Sequence, residues 1–312
     1  MIEVLLLQPL NADMVSVLVR DFIVHDYLEP QPRELYLQEH GASIDVVLTN
    51  GSRGIDAGTI DALPKLKLIS CMGAGFENVD RDAAHARGIV VTHGPGTNTE
   101  SVADHAFALM FALARRLIDM DAAVRKGEWS KPEYNWPTLT EKRIGILGLG
   151  RIGEAIAARA QGFRAEVGYH NRNQRSDLPF QYFSNLTDLA TWADYLIVTC
   201  PGGKETHHAV NADILSALGA DSFLVNVGRG TVVDSNAVID ALENGVIAGA
   251  GLDVVEGEPE IPSALLSAPN LVFTPHIAGR SPESSTAKID LFRQNVKAHF
   301  DGRAALTPVP DA

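Results

Sequence analysis

The sequence predicts an α/β protein made of two doubly wound domains, each built on a parallel sheet. Short apolar runs of strand type alternate with helix-type patterns along most of the chain, which is typical of right-handed crossover units. One such strand runs directly into a glycine-rich turn and then a helix, at Gly148-Leu149-Gly150-Arg151-Ile152-Gly153. The chain has 312 residues, more than one hydrophobic core comfortably fills, so we expect two domains.

Apolar runs of strand length occur from the N-terminus to the last quarter of the chain. They are Val4–Leu7, Asp45–Thr49, Leu66–Cys71, Ile89–Thr92, Arg143–Leu147, Glu166–Tyr169, Tyr195–Cys200, Phe223–Val227, Gly249–Val254 and Leu271–Thr274. The clearest helical patterns between and after them are Asn98–Lys126, Ile152–Phe163, Asn211–Leu218, Ser235–Glu243 and Ser281–Phe300. Strands that alternate with helices in this way predict parallel sheets with both faces covered.

One domain boundary follows from these patterns. The long helix Asn98–Lys126 leads into an irregular stretch, Gly127–Thr140, after which a new strand and the glycine-rich turn begin. We therefore predict a second domain at residues 99–280. The final helix is free to return to the first domain, which then comprises residues 1–98 and 281–312.

Composition and charge exclude several classes of function. Apolar residues make up 46% of the chain and charged residues 21%, the balance of a folded globular protein and not of a disordered one. The net charge of −13 leaves no excess of cations to neutralise a run of phosphates, so we expect neither nucleic acid nor an anionic membrane as a partner. An anionic substrate would need a local cationic site.

Cysteine usage and hydropathy predict a cytoplasmic protein. Cys71 and Cys200, the two cysteines of the sequence, lie in strand-type runs, and we expect buried, reduced thiols there. The N-terminal run Ile2–Leu7 is a strand pattern without a basic leader. The most apolar stretch, Ala106–Ala114, is far shorter than the roughly 20 residues that span a bilayer.

The glycine-rich turn is a G-x-G-x-x-G motif in the context that dinucleotide binding requires, between a strand and a helix. Gly148 permits the tight turn, Gly150 lets the backbone approach a pyrophosphate, and Gly153 allows close contact between helix and strand. The start of the helix, with Arg151 and Ile152, directs unpaired N–H groups at the phosphates. We predict a Rossmann domain that binds a nicotinamide cofactor; the alternative is a purely structural turn.

The segment after the next strand indicates which cofactor is preferred. An acidic residue there would bind the adenosine ribose hydroxyls, but the sequence reads His170-Asn171-Arg172-Asn173-Gln174-Arg175. We expect Arg172, aided by Arg175 and with Asn171 beside the cofactor, to bind a 2′-phosphate, because guanidinium groups pair well with phosphate oxygens. NADP(H) is therefore the predicted cofactor, with NAD(H) possible. The alternative is that both arginines are solvated loop residues.

Three later strands end in residues suited to acid–base chemistry on a keto acid. They lead in turn to Arg229, to the two carboxylates Glu256 and Glu258, and to His276. In a doubly wound domain the chemistry collects at the carboxyl ends of the strands. An arginine supplies a permanent, bidentate cation, a histidine supplies the proton, and a carboxylate orients the imidazole and favours its protonated form. We expect Gly228 and Gly230 to keep the guanidinium open to a planar substrate.

No metal site is predicted. His207 and His208 follow another strand end, but we expect adjacent side chains to diverge, and no metal-ligand spacing accompanies them. His105, beside Asp104 in the long helix, is interpreted as a packing or interdomain residue, and His170 as part of the adenosine side.

Taken in order, these motifs resemble the D-isomer-specific 2-hydroxyacid dehydrogenase family over nearly the whole chain. The matching segments are Asn98-Thr99-Glu100-Ser101-Val102-Ala103-Asp104-His105, Gly148 to Gly153, Asn226-Val227-Gly228-Arg229-Gly230, Gly251-Leu252-Asp253-Val254 with Glu258-Pro259, and Thr274-Pro275-His276-Ile277-Ala278-Gly279. The resemblance implies a Rossmann cofactor domain inserted in a flavodoxin-like substrate domain. It also implies hydride transfer from the cofactor to a small 2-keto acid, which gives a D-2-hydroxy acid.

The resemblance also implies roles for single residues. Arg229 resembles the arginine that anchors the substrate, His276 the acid/base and Glu258 its carboxylate partner. Asp253 resembles the residue that contacts the nicotinamide amide. The segment with Met72, Gly73, Ala74 and Gly75 resembles the loop whose backbone N–H groups hold the substrate carboxylate, and Pro201 and Val227 are expected beside the cofactor.

Within the family, the segment after Tyr169, which lacks an acidic residue, resembles that of the NADPH-using glyoxylate/hydroxypyruvate reductases. A reductase of bulkier 2-keto acids, such as phenylpyruvates, is the alternative, decided by the space around Met72, Phe76 and Arg280. A non-catalytic dinucleotide sensor is the alternative from another class.

Family members are usually homodimers. The apolar stretch Ala106–Ala114, with Trp129 and Trp136, would suit a dimer interface, and an intrachain core is an equal explanation for that stretch.

Overall fold

The computed structural model of the chain describes residues 1–26, 33–129 and 136–310. It separates into two compact units. The discontinuous unit consists of Met1–Asn98 with Arg280–Ala312, and the central unit of Thr99–Gly279. Part of the predicted irregular stretch 127–140 lies outside the described residues. Within those residues, every helix is too short or too polar to cross a membrane.

The discontinuous unit is built on a five-stranded sheet in which every neighbouring pair of strands is parallel. Its elements are β1 (Glu3–Leu6), α1 (Ala12–Leu18), β2 (Ile23–Asp26), α2 (Arg33–His40), β3 (Val46–Thr49), α3 (Ala57–Asp61), β4 (Leu68–Cys71), α4 (Arg81–Ala86), β5 (Val90–Thr92) and, from the end of the chain, α12 (Pro282–Phe300). The strand order β2-β1-β3-β4-β5 is that of flavodoxin-like sheets. The strand β2 was not predicted, because its sequence Ile-Val-His-Asp mixes apolar and polar residues at the edge of the sheet.

Both faces of this sheet are covered. Leu5, Val47 and Ile69 pack on one face, while Val4 and Leu6 belong to the cluster on the other face. The second cluster is completed by Ile289, Phe292 and Val296 of α12, all buried. The C-terminal helix is therefore part of the core that the first segment of the chain forms.

The central unit is built on a seven-stranded sheet, also parallel throughout, in the order β12-β11-β10-β9-β6-β7-β8. Its elements are α5 (Thr99–Ala114), α6 (Leu117–Arg125), β6 (Arg143–Leu147), α7 (Arg151–Gly162), β7 (Glu166–His170), β8 (Gln181–Tyr182), α8 (Leu186–Trp192), β9 (Tyr195–Val198), α9 (Ala212–Leu218), β10 (Phe223–Asn226), α10 (Ser235–Glu243), β11 (Gly249–Leu252), α11 (Ser263–Ser267) and β12 (Leu271–Phe273). The predicted fold class, two doubly wound parallel-sheet domains, is confirmed. The strand β8, with two residues, is too short to produce a periodicity.

The prediction of one helix at Asn98–Lys126 is wrong. The helix is interrupted at Arg116, whose φ of 47° places it in the left-handed region, and α6 begins at the next residue. Both helices carry apolar side chains, but α5 buries Val102, Ala106 and Met110 in the core, whereas none of the residues of α6 is buried. The break was not predicted, because a single left-handed residue between two helices does not interrupt the helical spacing of the apolar residues.

Candidate active site

The glycine-rich turn has the geometry that its sequence predicts. Gly148 adopts a φ of 102°, and a Cβ atom there would lie 2.6 Å from the backbone N of Cys200. A Cβ atom on Gly153 would lie 2.7 Å from the carbonyl oxygen of Gly148, so α7 packs directly on the turn. Gly150 begins the helix, and the space around its Cβ position is open. Two of the glycines are therefore required by packing and the third leaves room for a ligand.

Asn171 is a structural part of this turn. Its Oδ1 accepts a hydrogen bond from the backbone N–H of Leu149 at 2.6 Å, and its Nδ2 donates to the carbonyl oxygen of Leu149 at 3.4 Å. The side chain after β7 thus holds the turn after β6 in place. Of the other residues predicted at the cofactor, Arg151 and Ile152 form the first turn of α7.

The two arginines after β7 have different surroundings. Arg172 is 80% exposed, and its guanidinium pairs with Glu205, also exposed, at 3.2 Å. The guanidinium of Arg175 lies between Asp177, at 2.7 Å, and Glu154, at 2.9 Å. Hydrogen bonds from Arg175 lower the pKa of Asp177 to about 2, so this ion pair persists over the ordinary pH range. Arg172 is thus the more accessible cation.

Asn226, buried at the end of β10, holds the segment that carries Arg229. Its Oδ1 accepts from the N–H of Gly228, and its Nδ2 donates to the carbonyl oxygen of Arg229, both at 3.0 Å. This role of Asn226 was not predicted, although a polar residue at the end of an otherwise apolar strand is a usable signal. The neighbouring Val227 is buried.

The two glycines beside Arg229 have a packing role that the sequence did not indicate. A Cβ atom on Gly228 would lie 2.8 Å from the carbonyl oxygen of Cys200, and one on Gly230 would lie 2.2 Å from the backbone of Val255. Both glycines are therefore needed because the segment packs against the ends of neighbouring strands.

His276 and Glu258 form a hydrogen-bonded pair, although they follow different strands. The Nδ1 of His276 lies within hydrogen-bond distance of a carboxylate oxygen of Glu258, and the other oxygen accepts from the backbone N–H of Val255 at 3.2 Å. Because an ionised carboxylate only accepts, Nδ1 carries the hydrogen. The second ring nitrogen, Nε2, is then free of this carboxylate.

The electrostatic surroundings keep Glu258 ionised. Burial alone would raise the pKa of this carboxyl group, but the hydrogen bond and charge of His276, the N–H of Val255 and the charge of Arg229 outweigh it. The pKa of Glu258 therefore lies below its ordinary value. Of the predicted catalytic residues, the structure thus joins Glu258 to His276 and brings the charge of Arg229 within range of Glu258.

Asp253, 2% exposed, holds the loop that presents His276. Its Oδ1 accepts from the hydroxyl of Thr274 at 2.6 Å and from the N–H of Ile277 at 2.9 Å, and its Oδ2 accepts from the N–H of Ala278 at 3.0 Å. His105, predicted as a packing residue, reaches the same hydroxyl at 2.8 Å. The φ of 52° at His276 belongs to this tightly bonded turn.

The predicted substrate loop follows β4 in the discontinuous unit. Met72 donates its N–H to Thr49 at 2.7 Å, Gly73 has a φ of 105°, and its carbonyl oxygen accepts from the N–H of Gly94. The Nδ1 of His93 lies 2.9 Å from the carbonyl oxygen of Ala74. These contacts make the loop a fixed turn of Met72, Gly73, Ala74 and Gly75.

The expectation that His207 and His208 diverge is wrong. Their rings stack with centroids 3.9 Å apart, because His208 adopts a left-handed backbone with a φ of 50°. His208 Nε2 lies 2.7 Å from one carboxylate oxygen of Glu256, and His207 Nε2 lies 3.3 Å from the other. Pro201, at the start of the same loop, is exposed and accepts a hydrogen bond from the hydroxyl of Thr206.

Comparison with known proteins supplies the family. The model of the D-isomer specific 2-hydroxyacid dehydrogenase NAD binding domain matches residues 107–278. A glyoxylate/hydroxypyruvate reductase A of Arabidopsis thaliana is 38% identical over 309 residues, which cover 99% of both chains. A hydroxyphenylpyruvate reductase of Plectranthus scutellarioides is 37% identical over 309 residues, again 99% of both chains.

A solved structure extends the agreement to three dimensions. The NADPH-dependent glyoxylate/hydroxypyruvate reductase of Sinorhizobium meliloti, determined in complex with NADP and malonate, superimposes with a TM-score of 0.88 at 38% identity. The superposition covers 99% of this chain and 96% of the other. Sequence and fold agree over almost the full length, and the chain belongs to the D-isomer specific 2-hydroxyacid dehydrogenase family.

Proposed function

We propose that this protein reduces small 2-keto acids, glyoxylate and hydroxypyruvate among them, to D-2-hydroxy acids with NADPH as the hydride donor. The hydrogen-bonded pair of His276 and an ionised Glu258 is the observation that carries the proposal. Relatives that reduce glyoxylate and hydroxypyruvate support the choice of substrate.

The side chains divide the chemistry between them. Glu258 fixes the ring of His276 through a hydrogen bond from Nδ1, so Nε2 is left to donate a proton to the substrate oxygen. Arg229 binds the substrate carboxylate or carbonyl with its permanent charge. The backbone N–H groups of Gly73, Ala74 and Gly75 also hold the carboxylate, whereas the N–H of Met72, predicted with them, is already bonded to Thr49. The nicotinamide, when bound, supplies the hydride that C2 receives.

The residues of the central unit fit a dinucleotide. The open space at Gly150 and the N-terminus of α7 suit a pyrophosphate, and the exposed guanidinium of Arg172 suits a 2′-phosphate. Arg175 contributes less to phosphate binding than Arg172, because Asp177 and Glu154 already neutralise it. Contacts of the cofactor with Asp253, Pro201 and Val227 stay predictions, as does the use of NAD(H) as a weaker substitute.

Bulkier 2-keto acids are the second candidate substrates, because a relative of equal coverage is a hydroxyphenylpyruvate reductase.

The proposal also assigns a role to each domain. Residues 1–98 and 281–312 form the substrate-binding domain, and residues 99–280 form the cofactor domain. A non-catalytic sensor would have no need of the ionised carboxylate that orients His276.

The protein is also proposed to be a cytoplasmic homodimer. The stretch Ala106–Ala114 lies in α5, where Ala106, Met110 and Ala114 are buried in the central unit. The exposed apolar side chains lie further along, on α6 and just after it. They are Leu117, Ile118, Val124 and Trp129, the last 83% exposed, and Trp136 is partly buried.

The two cysteines bear on the proposed location in the cytoplasm. Burial raises the pKa of Cys71 to about 12 and that of Cys200 to about 11, which suits thiols that stay reduced.

The experiment is a panel of 2-keto acids, from glyoxylate to phenylpyruvate, assayed with NADPH and with NADH on wild type and His276→Asn. Asparagine is chosen because it tolerates the left-handed backbone at this position. We expect kcat to fall by about 10²- to 10⁴-fold in the variant, with the Kd for NADPH nearly unchanged. Wild-type turnover in the variant would refute the role of His276, and a preference for phenylpyruvate would select the second candidate.

A further inference from the structure

Three potential metal ligands converge in the central unit, apart from the His276 pair. His207 and His208 belong to the loop after β9, and Glu256 follows β11. One ring nitrogen from each histidine and one carboxylate oxygen of Glu256 lie within 4.8 Å of one another. Two imidazoles and one carboxylate are the ligand types that zinc prefers where it keeps an open position for water.

The distances between the donor atoms are close to those of a zinc site. Ligands bound tetrahedrally at about 2.0–2.1 Å from the ion lie roughly 3.4 Å apart. His207 Nε2 lies 3.3 Å from one oxygen of Glu256, and His208 Nε2 lies 2.7 Å from the other. A bound ion would take the place of the two ring N–H hydrogens. It would widen the second contact and turn the stacked rings, whose planes are 27° apart, so that both Nε2 atoms face it.

The backbone fixes the histidines before any ion binds. His208 donates its N–H to the carbonyl oxygen of Thr231 at 2.9 Å, and Val210 donates to that of Val232 at 3.0 Å. These bonds anchor the loop to the segment after β10. The left-handed conformation of His208, with a φ of 50°, is costly for a residue other than glycine and is the feature that stacks the two rings.

A second carboxylate stands behind the cluster. Asp234 Oδ2 lies 3.9 Å from Nδ1 of His208, the ring nitrogen that faces away from Glu256. Metal-bound histidines usually donate their other ring N–H to such a carboxylate, which orients the ring. Asp234 is itself held by the N–H groups of Asn236 and Ala237, where it begins α10.

We infer that His207, His208 and Glu256 bind one Zn²⁺ ion, with Asp234 orienting His208 and water completing the coordination. The ion takes no part in hydride transfer. Glu256 lies two residues before Glu258, so the ion would stabilise the segment that holds the partner of His276. This inference does not depend on which keto acid the enzyme reduces.

The test uses the full-length protein, freed of metal by a chelator and titrated with Zn²⁺ and, in parallel, with Co²⁺. We expect one ion per chain by calorimetry and the visible absorption of four-coordinate Co²⁺. The unfolding Tm should rise by about 5 °C or more at a hundredfold excess of Zn²⁺ over Kd. Absence of binding to the wild-type protein would overturn the inference, whatever the turnover of keto acids.

Variants locate the site. His207→Gln and Glu256→Gln should each weaken Zn²⁺ and Co²⁺ binding at least tenfold. His85→Gln, an exposed histidine of α4 in the other unit, is the matched control and should bind as the wild type does. Because His207 is half exposed, its replacement should leave the Tm of the metal-free protein and its NADPH-dependent turnover unchanged. Equal binding by all three variants would show that the ion sits elsewhere.

Discussion

Two carboxylates support His276 in different ways. Glu258 contacts the ring itself, whereas Asp253 binds the hydroxyl of Thr274 and the backbone N–H groups of Ile277 and Ala278. The first therefore acts on the charge of the ring and the second on the position of the loop. Sequence motifs mark both residues without distinguishing these roles.

Glu258→Gln separates charge from shape at the first of these positions. Glutamine retains the volume and an acceptor oxygen but removes the negative charge beside the ring, so kcat/KM should fall by about 10- to 100-fold. Steady-state kinetics of wild type and variant check this, and an unchanged kcat/KM would contradict it.

Arg172→Ser tests cofactor selection. The loss of an exposed guanidinium should raise KM for NADPH by about tenfold or more while leaving KM for NADH nearly unchanged, because only NADPH carries the 2′-phosphate. Arg125→Ala, which also removes an exposed arginine paired with one carboxylate, is the control and should change neither value. Equal effects on both cofactors would place the phosphate elsewhere.

At the scale of elements, the parallel sheet explains how distant residues meet. Arg229, Glu258 and His276 follow β10, β11 and β12, which are neighbours in the sheet. Since all three strands run in the same direction, their carboxyl ends form one edge, and the residues beyond them are neighbours too. The convergence of the proposed catalytic residues is therefore a consequence of strand order.

Two glycines of α7 differ in the space around their Cβ positions. A Cβ atom on Gly153 would press on the carbonyl oxygen of Gly148, whereas the Cβ position of Gly162 is open. Gly153→Ala should destabilise the protein by about 1–3 kcal/mol and weaken NADPH binding. Gly162→Ala should stabilise it by up to about 1 kcal/mol, as expected for a helical glycine. Denaturant unfolding of both variants measures the difference, and similar values would contradict the prediction.

Asp194 joins the starts of two neighbouring strands, β6 and β9. Burial raises its pKa, but hydrogen bonds from the guanidinium and the backbone N–H of Arg143 outweigh burial, so the pKa lies below the ordinary value. Asp194→Asn should cost about 1 kcal/mol, since the pair is partly exposed.

The pH dependence of this effect follows from the lowered pKa of Asp194. A carboxylate whose folded pKa is lowered stabilises the fold above its unfolded pKa, and the contribution disappears as pH falls through the folded pKa. The stability difference between wild type and Asp194→Asn should therefore be constant from about pH 5 to 8 and shrink below about pH 4. A difference that stays constant in acid would contradict the assignment.

At the scale of the whole molecule, the proposed dimer depends on the exposed apolar residues of α6. Ile118→Asp should convert a dimer into a monomer in sedimentation experiments, because a charge on that face would have to be buried. Val19→Asp, at an equally exposed apolar residue of the other unit, is the control and should leave the mass unchanged. A monomeric wild-type protein would reject the dimer directly.

The sequence by itself determined the fold class, the family and the types of residue at the strand ends. These follow from local signals: the alternation of strand and helix patterns, the spacing of the glycines, and motifs such as Thr274-Pro275-His276. The observed boundaries of most strands lie within two residues of the predicted ones. The edge strand β2 and the two-residue strand β8 were not predicted, because their sequences show too little of a strand pattern.

Only the tertiary structure decided how these residues contact one another. The left-handed turn at Arg116 divides a continuous helical pattern, and the glycines around Arg229 serve packing against Cys200 and Val255. The stacking of His207 on His208 opposite Glu256 was contrary to expectation. In each case the cause is a backbone angle or a contact with another strand. Sequence patterns describe residues that are close along the chain, so they do not give the distances between residues that are far apart in sequence.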